Sequence, residues 1–298
     1  MKNIGYFLLI ASISYWSCHS HKKGVVIDNA GHADHLGNYT IRDTDYGTET
    51  TVHIENGRRI ITTNALPNHD TGSFPNQGNP NAIRAQNQTY QFPLTPIFTG
   101  ESKWVREPGV AINGIKFEPE TAEVVRCVSG ENYRVEAMQT LIDLGLDFNH
   151  AHVQPTGAYH YHGTPTGIVN ASDSEKDLIH IGFARDGHLM YYSKSGAYKP
   201  SYKMIDTDRE GTDCVYENPH QRKEFSIQGS VPDGSFKPDW EYIPGLGDLD
   251  ECNGTTIDGE YVYLVTDDYP YVGRCLMGEF EEERRPRGPR PPHRRRGE

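Results

Sequence analysis

Thirty glycines and nineteen prolines are spread along a chain of 298 residues. They interrupt it too often for the long periodic segments that a helical bundle or coiled coil requires. What remains between the interruptions is short and alternating. Tyr39 to Ala65 alternates as strands do on either side of the turn pair Asn56 and Gly57, which is the signature of a hairpin. Gly109 to Phe117, Val124 to Val128, Ile179 to Phe183, Leu189 to Tyr192, Phe225 to Gln228 and Tyr261 to Val265 read as further strands. A helix is expected only over Asn132 to Leu144, from the spacing of Val135, Met138, Leu141 and Ile142. Pro67 to Pro96, rich in Asn, Pro and Gly, reads as a long ordered loop or a series of linked turns. With no interior linker and no full-length repeat, the expectation is one mainly β domain. Its form should be an antiparallel β-sandwich or a barrel-like fold, with one short helix and long ordered loops.

The two ends differ from this body. Ile4 to Trp16 is apolar but too short to span a bilayer, and it leads into Ser17 and Cys18. That order resembles a bacterial lipoprotein signal, in which processing leaves the Cys as a lipidated first residue. The expectation is therefore an exported protein of the bacterial cell envelope, in the periplasm or at the outer membrane, tethered to a membrane through Cys18. Residues 1–18 are read as the signal, 19–27 as a linker, 28–278 as the β-rich domain and 279–298 as a basic tail. Seven arginines lie between Arg284 and Gly297 among prolines and glycines, so that segment reads as disordered and solubilising. The formal net charge is −12 despite it. The body would repel nucleic acid phosphates, and no nucleic-acid partner is expected.

Export also bears on the cysteines. Without Cys18, four remain, with no C-x-x-C pair among them. Two disulfides are the simplest use in an oxidising compartment. Cys252 with Cys275 is favoured because a hairpin fits between them, which leaves Cys127 with Cys214.

The chemistry concentrates in Asp147 to Gly163, DFNHAHVQPTGAYHYHG, where His150, His152, His160 and His162 form two H-x-H pairs. Residues i and i+2 of a strand share a face, so each pair is co-facial if extended. Pro155, Thr156 and Gly157 suit a three-residue hairpin loop, with Gly at the left-handed position. If Gln154 and Ala158 close that loop, His150 faces His162 and His152 faces His160. All four rings then converge, with Tyr159 and Tyr161 on the other face. Neutral imidazoles suit copper or zinc, and no His directly flanks Cys127, Cys214, Cys252 or Cys275 as a blue-copper site would require. Asp147, His180, Asp186, His188 and His69 are further candidates for the same site. Asp206, Asp208, Glu210 and Glu217 match a calcium loop in spacing, with Gly211 at its sixth position. Against that reading, Pro219 blocks a following helix and Cys214 offers a competing anchor.

These segments resemble a known family. GAYHYHG, preceded by NHAHVQP and followed by HIGFARDG, is similar to the signature of the YHYH-domain proteins, found mostly in exported bacterial chains. The resemblance runs upstream through NALPNHDTGSFPNQGNPN and GVAINGIKFEPETAE, and downstream through LDECNG and DDYPYVGRCLMG. It names no activity. One departure is that Tyr261, Val262, Tyr263 and Leu264 stand where members often carry a second Tyr/His run. No nucleophile elbow, P-loop, H-E-x-x-H helix or dinucleotide fingerprint occurs, which disfavours the serine hydrolase, P-loop NTPase, zincin metalloprotease and Rossmann dehydrogenase classes. The expected function is metal binding, with a metal-dependent enzyme as an extension of it. The competing class is a metal-free glycan- or peptide-binding lipoprotein, with Trp104 and Trp240 exposed near its groove.

Overall fold

The computed structural model describes residues 25–29, 35–217 and 222–281. The expected signal, Cys18 and most of the arginine-rich tail fall outside the described residues. In chain order the strands begin with β1 (Val25–Asn29), β2 (Tyr39–Asp43), β3 (Thr48–Glu55), β4 (Arg58–Thr63), β5 (Gln88–Pro93) and β6 (Phe98–Trp104). There follow β7 (Gly109–Ala111), β8 (Lys116–Phe117), β9 (Glu120–Arg126), β10 (Asn132–Glu136), β11 (Ala151–Val153) and β12 (Tyr159–Tyr161). After helix α1 (Thr166–Ala171) come β13 (Leu178–Ala184), β14 (Leu189–Ser193), β15 (Tyr202–Met204), β16 (Cys214–Glu217) and β17 (Arg222–Phe225). The chain closes with β18 (Trp240–Tyr242), β19 (Gly254–Ile257), β20 (Glu260–Val265) and β21 (Cys275–Gly278).

β1 to β5 form an antiparallel meander in sequence order. Its inner face is set by simple alternation: Tyr39 and Ile41, Thr50 and Val52, Arg59 and Ile61, and Phe92 are buried. Asn56 and Gly57 both have positive φ, as the tight turn of the β3–β4 hairpin requires. This sheet shares a core with Val110 and Phe183 of the next one, so its strands β2 to β5 are not a separate unit. The central sheet has eight strands in the order β11-β12-β8-β7-β13-β14-β20-β19. It is mainly antiparallel, but β12 with β8 and β14 with β20 run parallel. A four-stranded sheet, β10-β9-β16-β17, covers a further core around Val125, Tyr133, Val135 and Phe236. The molecule is thus mainly β and a single domain, without a closed barrel.

Three expectations change, the smallest being that the strand expected over Phe225 to Gln228 instead ends at Phe225 as β17. Asn132 to Leu144 is not helical: Asn132–Glu136 is strand β10, with Tyr133 and Val135 buried on one face, and irregular turns follow it. The period of two in Asn-Tyr-Arg-Val-Glu, paired against β9, outweighs a weak helical spacing. The α-helix among the described residues is instead α1, six residues long. Gly109 to Phe117 is not one strand but a tight hairpin, closed by the Ala111 amide donating to the Ile115 carbonyl at 2.7 Å. Gly114 sits in its turn with φ +86° and with the Thr63 hydroxyl so near that no Cβ fits. Both disulfides form as paired above, Cys127 with Cys214 and Cys252 with Cys275.

Candidate metal centre

β11 and β12 form the hairpin at one edge of the central sheet, with Ala151 opposite Tyr161 and His152 opposite His160. The turn is the one the sequence implies. The Gly157 amide donates to the Gln154 carbonyl, the Gln154 amide to the Ala158 carbonyl, and Gly157 has φ +90°. β11 is an edge strand, yet its outer side is not bare. Asn79 and Asn81, from the long loop, both donate side-chain amides to the Val153 carbonyl, at 2.9 and 2.8 Å.

Three of the four histidines converge. The ring centroids of His152, His160 and His162 are 4.7–4.8 Å apart, close to an equilateral triangle. One ligand atom from each falls within 4.8 Å of the others. His160 and His162 are buried, and His152 is half-buried at the rim. His150 is the correction to the expected quartet. Its backbone carbonyl still accepts from the His162 amide at 2.8 Å, but its φ is +53°, so the strand has ended there. The ring swings out to meet the Thr164 carbonyl through Nδ1 at 2.9 Å. The i, i+2 rule fails at this residue because it holds only for extended backbone.

Hydrogen bonds on the far side of His152 and His160 fix what those two rings present to the centre. His152 donates from Nδ1 to the Leu144 carbonyl at 2.8 Å, and His160 from Nδ1 to the Ala158 carbonyl at 3.3 Å. A neutral ring bonded in this way carries its lone pair on Nε2. His162 Nε2 lies 3.1 Å from His152 Nε2. One of those nitrogens must hold a proton, and with His152 protonated on Nδ1 it is His162. That leaves His162 Nδ1 as a buried acceptor without a hydrogen-bond partner. The Pro119 carbonyl nevertheless favours a proton at this ring. A cation held by Nε2 of His152, His160 and His162 would relieve both features, because a His162 ring protonated on Nδ1, toward Pro119, would leave its Nε2 lone pair for the ion. Two imidazole nitrogens on one tetrahedral zinc at about 2.05 Å lie roughly 3.3 Å apart, close to the separation of the His152 and His162 nitrogens. Burial holds His160 and His162 well below the usual imidazole range, with neighbouring triad rings adding to the effect. Burial also lowers His152. All three rings are therefore uncharged at neutral pH, the state in which an imidazole can ligate a metal.

The remaining candidates lie elsewhere. Asp147 accepts from the Gly72 amide at 3.0 Å and the Tyr159 hydroxyl at 2.7 Å through Oδ2, and from the Asn149 amide through Oδ1. His69 Nε2 lies 2.6 Å from the Tyr161 hydroxyl. Both thus serve the tyrosine face of the hairpin, opposite the triad. His180 bonds the Gly182 carbonyl in β13. Asp186 is fully buried, accepting from Tyr263 at 2.6 Å and from the Gly278 amide, and burial raises its carboxyl. His188 donates from Nδ1 to the Tyr261 carbonyl. The calcium-type spacing does not assemble either. Asp206, Asp208 and Glu210 are exposed along an extended connector that leads into strand β16, not into a helix. Arg209 between them is held by Asp239 and Asp233. Among the described residues, the His/Cys/Asp/Glu group with metal-ligand spacing is the triad. Sequence reasoning had no means of finding the Leu144, Ala158 and Pro119 carbonyls, since a backbone acceptor leaves no mark in residue identity.

A mainly β domain with a buried three-histidine cluster on an edge hairpin is the class these observations define. A family model described as YHYH protein matches residues 89–278, well over half of the chain. The chain belongs to the YHYH family, whose motif supplies β12 and two of the three clustered histidines. No curated protein and no solved structure matches it.

Proposed function

We propose that this protein binds one transition metal, copper or zinc, through Nε2 of His152, His160 and His162. The observation that carries the reading is the orphaned Nδ1 of His162 beside the 3.1 Å contact between two Nε2 atoms. That pair is costly without a cation and satisfied with one. Three neutral imidazoles leave one position of a tetrahedron for water or substrate, on the side where His152 is half-exposed. Such a position makes hydrolytic or redox chemistry available and fits storage equally well. The two disulfides fit an oxidising compartment, and we place the protein in the bacterial envelope, tethered through a lipid on Cys18.

Elemental analysis of untagged protein, purified from the exported fraction, tests the metal. About one equivalent of copper or zinc is expected in the wild type and in His150→Ala, and none in the His160→Ala, His162→Ala double variant. Absence of metal in the wild type, together with no uptake on titration with Cu or Zn, overturns the reading. Loss of metal from His150→Ala would restore the four-ligand site.

A further inference from the structure

A groove of about 940 Å³, separate from the triad, is lined by Gln88, Thr89, Tyr90, Gln91, Phe92 and Pro93 in succession. Side chains of a strand alternate between faces, so a groove that touches six consecutive residues runs along the strand's edge and not over one face. β5 is the outer strand of its sheet, and no strand among the described residues pairs with its other side. The ladder shows which backbone groups face outward. The Leu94 amide donates to the Gly57 carbonyl, and Phe92 stands opposite Arg59, Tyr90 opposite Ile61. Hydrogen-bonded pairs alternate along an antiparallel ladder, so Gln88, Tyr90 and Phe92 bond to β4 while Thr89, Gln91 and Pro93 point their backbone groups away from it. The Pro93 carbonyl confirms the phase, since it lies against Gly187 outside the sheet. Proline thus already occupies this register, where its missing N–H costs no ladder bond.

We propose that this groove binds an extended polypeptide segment as a sixth strand of the β1–β5 sheet. Backbone groups of Thr89 and Gln91 would supply its hydrogen bonds, spaced by two residues, or about 7 Å. The groove is also lined by Gln154, Thr156 and Ala158 of the hairpin turn and by the apolar side chains of Ile97 and Phe280. Gly157 packs against Arg84 ahead of β5, and Gly187 packs against Pro93 at its end. Trp104 and Trp240 do not line this groove, so no tryptophan platform for a sugar ring is present in it. The proposal is independent of the metal.

A phage-displayed library of random linear twelve-residue peptides, panned on the full chain, supplies the probe, and the best binder is then synthesised. Gln91→Pro and Thr89→Pro each remove one outward N–H and leave the β4 ladder intact, so both should weaken binding at least tenfold with little change in Tm. Gln91→Ala keeps the N–H and should stay within threefold of wild type. Should a proline variant fail to fold, a backbone N-methyl scan of the peptide on wild-type protein replaces it. Sensitivity to N-methylation at every second position supports strand addition. Uniform or absent sensitivity overturns it, as does equal loss in Gln91→Ala and Gln91→Pro. Failure to select any peptide, with binding of xylan or chitin oligosaccharides instead, would make the groove a glycan site and also overturns the proposal.

Discussion

Lowering the pH from 7.5 to 5.5 should destabilise the metal-free protein steeply, and the triad determines by how much. Burial holds His152, His160 and His162 neutral in the folded state, at pKa values below the usual one. In the unfolded chain each returns to a pKa near 6.5. The unfolded state therefore binds more protons as the pH falls through that value. Stability is present above about pH 6.5 and is lost below it. Integrated over this window, His160 and His162 each cost about 1.4 kcal/mol, so the two together cost about 3 kcal/mol, and the less deeply lowered His152 adds a smaller amount. That is a large share of the 5–15 kcal/mol typical of a domain. His69, also lowered by burial, adds to a background shared by every variant. The assay is urea unfolding of chelator-treated protein, followed by tryptophan fluorescence at pH 7.5, 6.5 and 5.5. In His160→Gln the acid-induced loss should shrink by about 1.4 kcal/mol relative to wild type. An identical loss in the two proteins, or a wild-type stability unchanged across the window, would refute the view that these rings are buried and neutral.

Two further outcomes follow from contacts around the ring cluster. Arg274 donates to both oxygens of Glu136, at 2.7 and 2.6 Å, and to the Tyr269 hydroxyl, with both charged partners buried. Arg274→Ala strands a buried carboxylate and should cost about 3–5 kcal/mol in urea unfolding, whereas a loss under 1 kcal/mol would show that Glu136 reaches water or a proton. Asn79→Ala with Asn81→Ala removes both donors from the Val153 carbonyl, one residue from His152. The double variant should lose about 1–3 kcal/mol of stability and bind the metal more weakly, as measured by competition with a chromophoric chelator. Unchanged affinity would show that the edge of β11 is held by its neighbours alone.

Wherever a feature depends on neighbours a few residues away, the residues alone decide it. Asn56 and Gly57 specify a tight turn because both positions need positive φ, and the β3–β4 hairpin forms there. Pro155, Thr156 and Gly157 set the register of the histidine hairpin, and a period of two then puts His152, His160 and His162 on one face with Tyr159 and Tyr161 on the other. The cysteine pairing was legible because few connectivities were possible. Tertiary structure decided the rest, since the partners come from distant segments. Whether Asn132 to Leu144 coils or extends depends on β9 lying beside it, and a spacing that fits both periods weakly cannot report that. His150 belongs to the motif but leaves the cluster, because its backbone turns where the chain must reach Asp147. The triad's inward lone pairs depend on carbonyls of Leu144 and Ala158, and its unsatisfied nitrogen on the one at Pro119. A carbonyl is common to every residue, so only the folded chain shows which of them face a histidine ring.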